Sequence, residues 1–322
     1  MDERTDLLIE YGSLCLNIII YSWAVLGNGL VLSSFFKFPA VRAKLCFHLI
    51  AGLALCDLGS ALFTNITLFS ILLEHLGLAG AYTKLRCVSM SAAGSHFVLA
   101  SQLMTLAIAW DRFDVFRDHL AYRRKKHDRY ARLALALSQI IAMFVVSLSF
   151  LGLEADFASV SPLCAVILES EHFSAVVFAL ALIGITFAIL VFYLGALILM
   201  WRAKDKHSRS LEREIKVTKT ISLVLFCYCI FWIFPLILFI SVQTAGLSDA
   251  VTAISVRLMD VGLAINCSVN ILIYTAKYQD MSKYLAALIR CKNVNAVQPS
   301  VAVRATLSTR KRERNDVCEL KL

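Results

Sequence analysis

The sequence predicts an all-α membrane protein, a seven-transmembrane helix bundle followed by a short amphipathic eighth helix. Three observations predict it. Of 322 residues, 59% are apolar and only 17% charged, against ~45–50% and ~25% in an average soluble chain. The charged residues gather into clusters with long uncharged stretches between them. Lys and Arg fall overwhelmingly on every second cluster. Together these exclude a soluble globule, a disordered chain and a collagen-like fibre.

Each span follows from the gaps between charges. Tyr11 to Phe36 holds no Asp, Glu, Lys or Arg, and the same is true of Cys87 to Trp110, Leu133 to Leu153, Phe173 to Trp201 and Thr220 to Ser248. A helix needs ~20 apolar residues to cross ~30 Å of hydrocarbon, and each gap is long enough. Two more stretches are apolar apart from isolated charges: Phe47 to Leu73 carries Asp57, and Ala250 to Ala276 carries Arg257 and Asp260. The resulting division is a short extracellular N-terminus (1–12), a seven-span domain (13–276), an amphipathic helix (277–291) and a basic, disordered tail (292–322). Met1 to Glu10 is acidic, so the first span is expected to act as its own insertion signal.

Orientation follows from the basic residues. With the N-terminus outside, the outer segments carry four Lys and Arg and the inner segments 28. Lys and Arg resist translocation, which puts the C-terminus in the cytoplasm. The net charge of +9 is thereby explained by topology, and nucleic-acid binding is not needed to account for it. Of ten cysteines, only Cys87 and Cys164 clearly face the oxidising side. Two accessible cysteines predict one disulfide, tying the second outer loop to the third helix.

A polar layer stands out within the spans. A central Asp costs ~2.5–3.5 kcal/mol on insertion scales, so Asp57 asks for partners. Counted from the inner charged edges at ~1.5 Å per residue, Asn28, Asp57, Ser101, Asn266 and Asn270 all lie within ~10–20 Å of the inner boundary. Such a layer is either interhelical glue or a hydrated site for a cation that switches with conformation.

These residues also match a known pattern. Gly27-Asn28, Leu53-Ala54-Leu55-Cys56-Asp57, Asp111-Arg112-Phe113 and Asn270-Ile271-Leu272-Ile273-Tyr274 stand in order on the expected helices, with Asn266 four residues before Asn270 and Cys87 25 residues before Arg112. The chain resembles a rhodopsin-like (class A) G-protein-coupled receptor over residues 14–291, and is similar to nematode chemosensory receptors of the Srsx type. The resemblance implies a plasma-membrane receptor, not an enzyme. It would carry an extracellular small-molecule or peptide signal to a heterotrimeric G protein, with membrane lipid around it and no obligatory cofactor.

The same resemblance implies residue roles. Asp111 would hold Arg112 in the inactive state and release it toward the G protein, with Phe113 in the place of the usual tyrosine. Tyr193 and Tyr274 would support the open state. Asn28, Asp57, Ser101, Asn266 and Asn270 would form the polar network, with Na+ as an allosteric ligand. His96, Arg257 and Asp260 are the ligand-pocket candidates; Arg257 and Asp260 can also pair with each other, and His96 can be structural. Gly94 stands where amine receptors carry an Asp, which argues against a monoamine ligand. Tyr278, Met281, Leu285 and Leu288 make the apolar stripe of the eighth helix, and Cys291 at its end is a palmitoylation candidate.

The departures are equally specific. The sixth span has Cys229, Trp232, Ile233 and Pro235 where the family has Phe, Cys, Trp and Pro. Ile233 thus replaces the toggle tryptophan, and Trp232 is expected to face about 100° away around the helix. The fourth span lacks its usual Trp, Ile185 occupies the usual fifth-helix proline site, and Ile215 replaces an acidic residue beside Glu214. Two other classes compete. A signalling-silent seven-helix scaffold would tolerate these losses, whereas a small transporter would show repeated halves and broken helices, and Pro235 is the only proline within a span.

Overall fold

The computed structural model describes residues 3–42, 46–78, 83–118, 122, 127–151, 172–203, 222–223, 226–245, 249–277, 282, 284–286 and 288. Among these the fold is helical throughout, with no strand. The long helices are α1 (Glu3–Lys37), α2 (Cys46–His75), α3 (Lys84–Arg117), α4 (His127–Ser147), α5 (His172–Ala203), α6 (Phe234–Thr244) and α7 (Asp249–Lys277). A one-turn helix, Pro39–Arg42, follows α1, and a 3₁₀ turn, Leu148–Phe150, extends α4. Among the described residues six helices are long and apolar enough to cross a membrane; the sixth span in chain order is a shorter apolar helix over Phe226–Val242. The protein is a seven-helix membrane bundle.

Lipid imposes this design, because every backbone group must find its partner within its own helix. α3 is the central element, packed against α2, α4 and α5. Within its most apolar stretch 61% of residues are buried, against 22% for α4, which lies at the periphery. The faces left outside are apolar rather than charged: Leu26, Ile140, Phe144, Leu180, Phe187 and Phe234 are all exposed. That is the inverse of a soluble bundle and suits contact with lipid tails.

Small residues set the closest helix approaches. A Cβ on Gly27 of α1 would come within 2.8 Å of the Ile271 side chain on α7. One on Gly94 of α3 would come within 2.9 Å of the Thr64 hydroxyl on α2. Hydrogen bonds tie α1 to both neighbours: Asn65 of α2 donates to the Ser22 hydroxyl at 2.9 Å, and Ser268 of α7 to the Ile20 carbonyl at 3.2 Å.

Two elements differ from expectation. α1 begins at Glu3, so the acidic segment before the first span is a helical extension of that span. The sixth span is not a continuous α-helix, for a π-turn occupies Cys229–Ile233 and the backbone N–H of Phe234 bonds the carbonyl of Cys229, five residues back. Pro235 is the local cause. It has no N–H to offer the carbonyl of Phe231, four residues earlier, and wider turns commonly absorb such a defect. The released Phe231 carbonyl lies against α7 at Gly262, where a Cβ would stand only 2.2 Å from the oxygen.

Of the eighth helix, the described residues Ser282, Tyr284, Leu285, Ala286 and Leu288 are helical. Leu285 is buried, and the Tyr284 ring packs on Phe38 with centroids 4.7 Å apart. Tyr278 and Met281 lie outside the described residues.

Candidate functional site

Three polar assemblies lie along the bundle. The first is at the Arg112 end of α3. Asp111 and Arg112 are both buried, at 1% and 3% exposure. The guanidinium donates to the neighbouring Asp111 carboxylate and forms an ion pair with it. Tyr122, in the connection that follows α3, completes the clasp: its hydroxyl donates to Asp111 Oδ2 at 3.2 Å and accepts from Arg112 Nη2 at 3.4 Å. Successive residues on a helix do not face each other, so the pair needs an outside group to keep both side chains turned the same way. Tyr122 is that group.

Phe113 points elsewhere. Its ring lies 6.0 Å from that of Trp110 and 5.8 Å from that of Phe192, and Trp110 meets Phe192 edge-on at 4.8 Å. The three rings join α3 to α5. Gly195 makes room for them, since a Cβ there would sit 3.0 Å from the Phe113 ring. Tyr193 is buried on the same helix at 2% exposure. Tyr274 lies on α7, and its side chain is outside the described residues.

The second assembly surrounds Asp57, which is fully buried. Ser101 of α3 donates to Oδ1 at 2.5 Å, and Asn270 of α7 donates to Oδ2 at 2.8 Å. One carboxylate thus ties three helices together. Asn28 is not part of this cluster: its amide donates to the carbonyls of Ala24 and Cys267, both at 3.0 Å, pinning α1 to α7. Asn266 is half-buried one turn from Asn270, and among the described residues no hydrogen bond joins it to Asp57. The donor types would suit a hard cation, yet both Asp57 oxygens already accept hydrogen bonds from protein. As arranged, these residues hold one another, and each Asp57 oxygen keeps a further lone pair beyond the hydrogen bond it accepts.

The third assembly lies toward the Cys87 end. A cavity with about 1100 Å³ of empty space, its mouth included, opens between α1, α2, α3, α5, α6 and α7. Its wall is mostly apolar, with Phe178, Leu182 and Phe239 on one side and Tyr21, Thr64 and Asp260 on the other. Trp232 also lines it. The π-turn explains how. One additional residue in the turn rephases the helix before Pro235, so Trp232 is buried at 2% exposure while Ile233 is only half-buried. The expectation that Trp232 would face away is therefore corrected.

Below the cavity runs a hydrogen-bonded chain that motif reading missed. Trp232 Nε1 donates to the Thr186 hydroxyl at 3.4 Å, Thr186 and Tyr228 share a hydrogen bond at 3.2 Å, and the Tyr228 hydroxyl donates to Gln102. Gln102 adjoins Ser101, so the cavity wall and the Asp57 cluster meet on successive residues of α3. The available signal was polarity: Gln102, Thr186 and Tyr228 lie in charge-free spans, where every hydrogen-bonding group needs a partner.

His96 is a second correction. It does not line the cavity; its Nε2 shares a 2.8 Å hydrogen bond with Gln139 of α4, and its ring meets Phe97 edge-on. Gln139 in turn donates to the Cys56 sulfur at 3.3 Å. The histidine sits on the side of α3 that faces α4, where it serves packing. Asp260 does line the cavity, whereas Arg257, one turn away on α7, is an electrostatic neighbour of it and does not. Cys87 is fully buried near the start of α3. Cys164 and Cys291 lie outside the described residues.

Residues 27–274 match the 7 transmembrane receptor (rhodopsin family). That match spans more than half of the chain, and the protein belongs to this family of membrane receptors. No curated protein is matched by the sequence.

Proposed function

We propose that the protein is a chemosensory receptor of the plasma membrane whose extracellular ligand enters the cavity between α3, α5, α6 and α7 and whose opposite end engages a heterotrimeric G protein. The observation that carries this reading is the clasp at Arg112. A guanidinium buried at 3% exposure, held by its own neighbour and by a tyrosine outside the helix, can turn outward when that clasp opens. Burying charge is costly unless it is paired, so the released arginine needs a new polar partner. A G protein docking at that end would supply one.

In this reading the N-terminus is extracellular, as the 28-to-4 distribution of basic residues requires. The disulfide-bonded state of Cys87 supports its expected pairing with Cys164. The Gln102–Tyr228–Thr186–Trp232 chain couples the cavity to α3, since displacing Trp232 disturbs a bond that ends beside Ser101. The Asp57 cluster acts as an interhelical clamp, with sodium as an alternative occupant tested below.

Arg112→Ala is expected to lower basal nucleotide exchange on a co-expressed promiscuous Gα at least ten-fold at matched surface expression. Tyr122→Phe, which removes one member of the clasp while sparing the arginine, is expected to raise basal exchange. Unchanged exchange in Arg112→Ala at equal surface density would sink the proposal and favour a silent scaffold.

A further inference from the structure

The cavity's polar groups identify the chemistry of what fills it. Several are already committed to the protein: Thr67 donates to the carbonyls of Phe63 and Met90 at 3.0 and 3.2 Å, and Ser91 to that of Cys87 at 2.8 Å. Two are not. The Tyr21 hydroxyl is completely buried, lines the cavity and has no hydrogen-bond partner among the described residues. Among the described residues Asp260 is the only acidic or basic side chain lining the wall, and it is an electrostatic neighbour of that hydroxyl.

A buried phenol without a partner and a carboxylate facing an apolar space both cost free energy until something satisfies them. Arg257 offsets part of the acid's charge from the same helix, but it does not line the cavity, so the inner face of the carboxylate remains for a ligand. On α3 the cavity is lined by Ser91, Gly94, Ser95 and Val98, none of them charged, so the counter-charge for a cation lies on α7 and not on α3. The remainder of the wall, with Phe178, Leu182, Trp232 and Phe239, suits an aryl or alkyl body.

We propose that the cavity takes a small amphipathic amine, its ammonium on Asp260 of α7, its second polar contact the Tyr21 hydroxyl of α1, and its apolar body against α5 and α6. This rests on the receptor reading above and names the ligand class of that same cavity. An ammonium satisfies the carboxylate by charge and by hydrogen bonding at once, and charge-assisted bonds are about twice as strong as neutral ones. A carboxylic acid of the same shape would meet Asp260 with like charge and be rejected.

The test compares three probes of one shape on the purified full-length protein: 4-phenylbutylamine, 4-phenyl-1-butanol and 4-phenylbutyric acid. Binding is read from ligand-induced thermal stabilisation. The amine is expected to act at concentrations at least ten-fold lower than the alcohol or the acid. Asp260→Asn should weaken the amine at least ten-fold and leave the alcohol within about three-fold; Asp260→Glu, which keeps the charge, should retain most of the amine affinity. Tyr21→Phe should weaken the amine by a smaller factor. Equal action of the alcohol or acid, full amine affinity in Asp260→Asn, or no stabilisation by any probe at millimolar concentration would overturn the proposal. The assay contains no G protein, so an amine that binds without evoking nucleotide exchange overturns the receptor reading alone, and exchange evoked by the acid instead overturns the ligand class alone.

Discussion

Gly262→Ala is expected to destabilise the protein by about 3 kcal/mol, the upper end of the usual cost of overpacking. The reason is geometric. A Cβ on Gly262 would stand 2.2 Å from the Phe231 carbonyl oxygen and 3.1 Å from the Pro235 ring. The first contact is with backbone, which cannot swing aside as a side chain can. α7 must retreat from α6, or the π-turn must be rebuilt. Either displaces Trp232 from the cavity wall, so a loss of ligand-evoked signalling should accompany a fall in Tm of roughly 5–10 °C.

The same substitution at Gly29, where a Cβ meets nothing within 4 Å, is the control. There the alanine should be neutral or stabilise by about 0.5–1 kcal/mol through helix propensity. Pro235→Ala restores an N–H four residues beyond Phe231 and should let the turn relax toward α-helix, withdrawing the carbonyl from α7. The pair Gly262→Ala and Pro235→Ala should therefore be less harmful together than the sum of each alone. A Tm for Gly262→Ala equal to wild type would contradict the close approach itself.

This seam shows where sequence reading succeeds and where it stops. The seven spans are legible because lipid forbids unpaired charge and unpaired backbone, and the gaps between charges therefore outline the helices directly. Depth is legible too: Asp57, Ser101 and Asn270, placed at one level by counting residues, do meet through two hydrogen bonds. Azimuth is not. Asn28 and Asn266 lie at that level as well, yet Asn28 turns to the backbone of Ala24 and Cys267, and His96, deep in a span, turns to Gln139 rather than to the cavity.

Azimuth depends on helix phase, and phase is disturbed by features that no periodic count anticipates. In the sixth span, a strict α-helical period turns Trp232 away from the position held by Ile233. One π-turn reverses that outcome, and its cause is split between Pro235 in the same helix and Gly262 in another. Gln102, Thr186 and Tyr228 escaped notice for a related reason. Each is an ordinary residue type in an apolar span, and only three-dimensional proximity turns them into a chain.

Asp57 offers the other large effect, and it distinguishes clamp from cation site. The carboxylate is fully buried and accepts from Ser101 and Asn270 on two different helices. Asp57→Ala leaves both donors without their acceptor, and each unsatisfied buried group costs ~1–3 kcal/mol, so a loss of about 3 kcal/mol is expected in thermal or denaturant unfolding. Asp57→Asn keeps one acceptor oxygen but turns an amide toward one of the two donors, and should fall between. A double-mutant cycle of Asp57→Ala with Asn270→Ala should give a coupling energy of about 1–2 kcal/mol. The cycle with Asn28→Ala should be additive within about 0.5 kcal/mol, because Asn28 shares no hydrogen-bond partner with Asp57. Repeating the unfolding in sodium chloride and in choline chloride separates the two roles. Since both carboxylate oxygens are engaged by protein donors, equal stability in the two salts is expected for wild type and for Asp57→Asn alike. Stabilisation specific to sodium, present in wild type and lost in Asp57→Asn, would mean that the cluster opens to admit the cation and that the clamp is only one of its two states.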